Sequence, residues 1–378
     1  MNRIFETSSS AITLLVCVLV LLSLGAMSMP GARELASADR CRSNMQQIGL
    51  AVHNYHSAYN AMPMGVGGTT GEMRFPRKLS RERDSNRGRL SGFAALLPFL
   101  EQRAAWSKLA KVGPDGFPAM GPVPSYDPSE YTLWSVQFDG FLCPSDPAVK
   151  KDFGMRSYMM NYGDAVDSVG RLFDDSAEDR VLRLDVGRGV FVPHTLIKFR
   201  DILDGLSNTA MISETIIGVG TKNSGAMVVR GVDDLIASPG NALKTATSAH
   251  KPYRSGQTIW SVGKGSRWPE GSFLTNAFTT VLPPNGPSAT LLQDPESGCL
   301  SASSYHLDGV NVLMASGAVR FVSNAIDIGD SNARSISPLF DNVGQESPYG
   351  VWGAMGTRAS KEIIPSEREA RFQTYSNE

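Results

Sequence analysis

The first long apolar stretch of the chain runs from Ala11 to Met29, AITLLVCVLVLLSLGAMSM, and ten of its 19 residues are Leu, Ile or Val. As a helix it would be roughly 28 Å long, about one hydrocarbon core. Each Leu, Ile or Val contributes roughly −0.3 to −0.6 kcal/mol to insertion, so the sum is favourable. The pattern predicts a membrane-spanning segment over 11–29 behind a short flank over 1–10. Two outcomes fit: a retained anchor, or a secretory signal cut at the small-x-small triplet Ala26-Met27-Ser28.

After position 30 the pattern changes to helical period. Cys41, Met45, Ile48, Val52, Tyr55 and Tyr59 are spaced 4, 3, 4, 3, 4, one apolar stripe on a helix from Arg33 to about Tyr59. Arg42, Asn44, Gln46, Gln47 and Asn54 lie off the stripe. The stripe predicts packing against the body, with Cys41 on the inner face. Asn60-Ala61-Met62-Pro63 and Gly65 end the helix, giving an amphipathic segment over 30–63. His53 and His56 sit three apart on it, and the pattern reads them as half-buried polar residues bonded to backbone or loop.

Leu90 to Ala110 reads as helical, broken at Pro98. Asp204-Gly205 makes a turn, Ser207 and Asn208 bond local backbone, and Thr209 to Ile217 reads as a strand carrying Glu214. Glu214 is expected to be a structural hydrogen-bonding acid. Val310–Met314 and Val319–Val322 are two strands of a hairpin, with Gly317 supplying a positive φ in the turn. The stretch 218–303 is rich in Gly, Pro and Ser and reads as an insertion of loops and short strands. The fold class is α+β: a long N-terminal helix packed on an antiparallel sheet. The body runs over 64–217, then come the insertion, a C-terminal hairpin and finish over 304–362, and a polar tail over 363–378.

Composition narrows the partners. The 378 residues are 42% apolar and 19% charged with a net charge of −1, which suits a folded core and offers no bulk field for nucleic acid. Arg74 to Arg89 carries seven basic and two acidic residues, a solvated loop without the interleaved aromatics of a nucleic-acid surface. Asp164, Asp167, Asp174, Asp175, Glu178 and Asp179 form an acidic stretch. Its carboxylates would suit calcium, but no EF-hand spacing is present, and no cofactor is predicted. Of the four cysteines, Cys17 lies in the apolar segment; Cys41, Cys143 and Cys299 leave one disulfide and one thiol in an exported body, with the pairing open. No zinc-spaced cluster is present, nor any hydrolase, metalloprotease or nucleotide-binding motif, so no catalytic residue is assigned.

Several separated segments carry a resemblance. CRSNMQQIGLAVHNYHSAYNAMP (Cys41 to Pro63) holds Cys41, Asn44, His53, Tyr55 and His56, and Leu142-Cys143-Pro144-Ser145-Asp146 forms a second element. Ser157-Tyr158 with Asn161-Tyr162-Gly163, and Phe199 to Glu214, are two more. His306, nine residues, then Ser316-Gly317 is the last, followed by Tyr349 to Glu362. These resemble a large bacterial family of unknown biochemical function with a prepilin-like N-terminus and a C-terminal His-x9-Asp-Gly box. The resemblance implies a pilin-like fold, a disulfide between Cys41 and Cys143, and a body outside the cytoplasmic membrane. It also implies a structural or assembly role beside other pilin-like or secretion-apparatus subunits, as in type II secretion pseudopilins.

The chain departs from that pattern in places. Ser8, Ser9 and Thr13 stand where prepilins carry Gly, an aromatic residue and Glu, and Ser316 stands in the box where Asp is usual. Ser316 is expected to cap the hairpin turn more weakly, and His306 to hold a loop across the sheet. The expected function is thus a membrane-anchored, single-pass, extracytoplasmic structural protein. The alternative is an envelope binding module whose insertion recognises glycan or protein; Trp260 and Trp268 read first as core or lid residues, and only in this alternative as ones that stack on sugar rings. An enzyme without a recognisable motif comes third.

Overall fold

In the computed structural model, which describes residues 34–70, 81–113, 115–171 and 186–362, the apolar stripe forms one helix, α1 (34–59). The other helices are α2 (Gly92–Leu96), α3 (Arg103–Leu109), α4 (Phe273–Asn276) and α5 (Gly350–Gly356). The strands are β1 (Val66–Gly67), β2 (Leu90–Ser91), β3 (Tyr158–Asn161), β4 (Ala210–Glu214), β5 (Val229–Arg230) and β6 (Thr258–Ile259). They continue with β7 (Ala277–Phe278), β8 (Ala289–Thr290), β9 (Gly298–Cys299), β10 (Gly309–Met314) and β11 (Val319–Ser323). The segment 11–29 lies outside the described residues; among those described, no helix is long and apolar enough to cross a membrane.

Cys41, Met45, Ile48 and Val52 are fully buried along α1, joined by Ala51. The stripe then lifts away from the core. Tyr55 is half-buried and Tyr59 is 60% exposed, both packing on the edge of Phe99. Asn60 closes the helix in the left-handed region at φ 53°, a conformation its short polar side chain tolerates.

The main sheet has the order β11-β10-β4-β3-β7. The first four strands pair antiparallel, but β7 runs parallel to β3, so the sheet is mixed rather than wholly antiparallel. A parallel pair needs a long crossover, which the chain between β3 and β7 supplies and which strand alternation does not reveal. One face of this sheet carries α1: Tyr158, Met160, Ile212 and Leu313 share a core with Met45, Ile48 and Val52. Gly49 permits the close approach, since a Cβ there would stand 2.9 Å from Leu313 Cδ1. On the other face Met159, Val310, Val312 and Met314 meet Trp352 and Met355 of α5. Five strand steps from Glu214 back to Thr209 rise roughly 17 Å, and the helix from Cys41 to His53 rises roughly 18 Å. Helix and strands are therefore matched in length, and each end of the match carries a junction.

Residues 218–303 do not stand apart from the body. They form a small sheet in the order β6-β5-β8-β9, with Val229, Ala289 and Cys299 buried, and they donate β7 to the main sheet. The segment from Leu90 opens as β2 before turning helical. It breaks at a 3-10 turn that carries Pro98 and ends at Glu101, whose φ is 62°.

Candidate functional site

Glu214 ends β4 with 1% of its surface exposed. A buried carboxylate is costly unless it is fully bonded. Here Asn311 of the neighbouring β10 donates its backbone N–H to Oε2 at 2.7 Å and its side-chain amide to Oε1 at 3.1 Å. His306, just upstream of β10, places Nε2 3.0 Å from Glu214 Oε1. Its Nδ1 faces Glu34 Oε1 at 3.3 Å, at the outer end of α1. Burial alone would pull this imidazole down. The hydrogen bonds and charges of Glu214 and Glu34 outweigh it and hold the pKa above the ordinary histidine value. When protonated, the ring donates to a carboxylate from each nitrogen.

Against this pair lies a disulfide between Cys41 and Cys143, with Cys143 Sγ 3.6 Å from His306 Nε2. Its backbone is fixed on every side. The Cys143 N–H bonds Ser157 Oγ at 2.9 Å, and Asn44 donates to the Leu142 carbonyl at 2.8 Å. The Tyr158 hydroxyl donates to the Cys41 carbonyl at 3.2 Å; burial, then the charge of Glu214, push that phenol well above its usual pKa. Pro144 and Cys143 line a surface groove of about 560 Å³ together with Arg40, Asn44, Asp146 and Ile217. Asp146 turns inward to accept the Ile217 N–H at 2.8 Å, and burial raises its carboxyl. Cys41, Cys143, Glu214 and His306, scattered over four segments, thus converge at the start of α1. One ligand-type atom from each lies within 4.8 Å of all the others.

The far end of the helix carries the second junction. His53 Nε2 lies 3.0 Å from the Ala315 carbonyl in the hairpin turn, where Gly317 has φ 90°. Ser316 Oγ accepts the Ala318 N–H only at 3.5 Å, a loose cap. The Ser316 N–H reaches the Leu206 carbonyl at 2.9 Å, joining the hairpin to the loop that holds exposed Ser207 and the Gly205 turn. Asn208 donates to the Asp204 carbonyl at 3.3 Å. The Asp204 carboxylate in turn accepts the N–H groups of Ser360 and Lys361, fastening the C-terminal finish. His53 and His56 both pack on the Phe199 ring. Burial, then the charges of His53 and Lys198, lower the His56 pKa.

Three residues of the sequence reading find their places in the fold. Trp268 is fully buried against Trp134 and Phe138, so it has no face for a sugar. Trp260 is covered by the Arg230 guanidinium and donates to Thr290 Oγ1 at 2.8 Å. Asp164, expected in a solvated loop, is instead buried and gives both oxygens to Arg188, at 2.7 and 3.3 Å. Asp174, Asp175, Glu178 and Asp179 lie outside the described residues.

Two buried cations had no signal in the sequence. Arg156 donates to the carbonyls of Glu270 and Thr275. Lys264 donates to the Ser301 carbonyl at 2.8 Å and to Ser303 Oγ at 3.0 Å, and burial brings its pKa down to about 7. Cys299, the free cysteine among the described residues, is buried and its thiol is pushed up to about 12, which leaves it inert.

Residues 30–329 match the model of a family described as a protein of unknown function, DUF1559. The match takes in the helix, both junctions and the hairpin, and it ends before α5. Neither the curated proteins nor the solved structures gave a match.

Proposed function

Because the chain belongs to the DUF1559 family, which is defined without an assigned activity, we propose a function from its geometry: a membrane-anchored structural protein on the outer side of a bacterial membrane. In this reading 11–29 is a single-pass anchor, α1 continues it as a stalk in the manner of pilins, and the body is clamped to that stalk. The observation that carries the reading is the Cys41–Cys143 bond. It joins the helix that follows the apolar segment to the body, and such bonds persist in oxidising compartments. The buried Glu214–His306 pair and Glu34 reinforce the same place. The outer face of α1 leaves Leu35 and Leu50 exposed, at 69% and 62%, and offers the surface for contact with other pilin-like subunits.

The test is fractionation of cells followed by protease treatment of intact spheroplasts. The expected result is a detergent-extractable protein whose body is digested from outside and whose Cys41–Cys143 bond is intact on a non-reducing gel. Recovery in the soluble fraction with both thiols reduced would overturn the proposal. For assembly, Leu50→Cys is expected to cross-link protomers in the membrane; absence of any cross-linked dimer would leave an anchor without an assembly role.

A further inference from the structure

The junction at the start of α1 holds two sulfurs, a carboxylate and an imidazole in a closed, buried space. We propose that reduction of the Cys41–Cys143 bond turns this junction into a zinc site with Cys41, Cys143, Glu214 and His306 as its four ligands.

Tetrahedral zinc with bonds of about 2.0–2.3 Å needs ligand atoms roughly 3.3–3.8 Å apart. His306 Nε2 already stands 3.6 Å from Cys143 Sγ and 3.0 Å from Glu214 Oε1. All four ligand atoms fall within a 4.8 Å circle of one another. The two sulfurs, held together by their bond, must part the furthest; His306 Nε2 and Glu214 Oε1 must ease apart by a few tenths of an ångström, and the pairs nearer 4.8 Å must close.

The surroundings are those of a metal site. Ligating histidines present one nitrogen to the metal and give the other N–H to a carboxylate, which fixes ring and tautomer. His306 does this with Nδ1 on Glu34. Glu214 is oriented by both donors of Asn311, and Cys143 by Ser157. These partners leave Nε2, Oε1 and the sulfurs converging on one point.

The redox step balances with a dithiol as the co-reactant. Cys143 is one of the residues that line the groove; the reagent's thiolate attacks its Sγ and displaces the Cys41 thiolate. The second thiol of the reagent then releases Cys143, so the reagent leaves as a disulfide with two electrons fewer and the pair gains two electrons and two protons. Zinc displaces both thiol protons, and His306 Nε2 gives up its proton to solvent. Two thiolates and one carboxylate then surround the dication.

This inference rests on the cluster alone and stands or falls separately from the membrane anchor. The full chain, purified in detergent with Cys17→Ser and Cys299→Ser so that the pair supplies the only thiols, would be reduced with a phosphine, desalted and titrated with zinc chloride or cobalt chloride. One ion per reduced chain is expected, with thiolate-to-cobalt absorption, and none in the oxidised chain. His306→Ala is expected to weaken zinc by at least the roughly 10–100-fold that outer-shell changes cost, and Glu34→Gln by about 10-fold. Circular dichroism keeps the result decisive. A reduced chain that stays folded and takes up no ion, one that unfolds and is not refolded by zinc, or uptake indifferent to His306→Ala would each overturn the proposal.

Discussion

His306 Nε2 and Glu214 Oε1 stand 3.0 Å apart, bridging positions 92 residues distant in the chain, and both side chains are almost wholly buried. The histidine pKa is raised in the folded chain. A raised value means that the folded state binds the proton more tightly than the unfolded state. The stabilisation is thus complete below the unfolded value of about 6.5 and drains away as pH rises through the folded value. Paired urea unfolding of the oxidised parent and His306→Gln should show the parent's advantage shrinking from about pH 6 upward, which separates this effect from the opposite drift that Lys264 imposes on both chains. An advantage that grows across the same range would contradict the pairing.

Removing one partner should cost more than the pair is worth. Glu214→Ala strips His306 and both Asn311 donors of their acceptor inside the core, and about 3–5 kcal/mol of stability should be lost. Chemical denaturation of the purified variant measures it; a loss below about 1 kcal/mol would mean that solvent reaches the site.

The cross-link closes a loop of 102 residues. Chain entropy for a loop near that length gives about 4.7 kcal/mol, within a usual range of about 2–5. The double variant Cys41→Ala, Cys143→Ala should melt well below the oxidised parent and near the reduced parent in a zinc-free buffer. Equal melting of the oxidised parent and the double variant would show that the bond constrains nothing.

Lys264 makes a separate prediction. Its pKa falls to about 7 on burial, so the folded state resists the charge that the unfolded chain accepts at about pH 10.4. Its contribution to stability is present above the unfolded value and is lost as pH falls toward the folded one, about 1.4 kcal/mol per pH unit. Lys264→Met should therefore gain on the parent as pH drops from about 9.5 to 7, read from paired denaturation curves. A constant difference across that range would count against a neutral buried amine.

Trp268→Ala should cost about 3–5 kcal/mol as a core truncation, with no selective change in glycan binding. Thermal melting and a glycan array would separate the two effects.

Much of the architecture was legible where physical periodicity is strong. The stripe from Cys41 to Val52 announces a packed helix face, and the spacing about Gly317 announces a hairpin. The parallel pairing of β7 was hidden, because two residues such as Ala277 and Phe278 carry no alternation, and their partner lies more than a hundred residues upstream. A core role for Trp268 was among the expectations, but its neighbours Trp134 and Phe138 were hidden for the same reason, coming from a remote segment. The junction at Cys41 escaped any spacing rule, since its four members come from four segments brought together only by the sheet. Arg156 and Lys264 look like ordinary surface cations until the carbonyls that receive them are placed.

The bond at Cys41 also decides how the molecule bears a pull. Tension entering the described chain at residue 34 travels along about two helical turns before it meets a covalent branch into residue 143. From there it passes into the body through the turn at Cys143, in parallel with the remainder of α1 and all that follows as far as 142. That span is shunted while the bond stands. Cutting it would place the whole stretch in series with the load, so the same two sulfurs would set the extension at which the fold begins to yield.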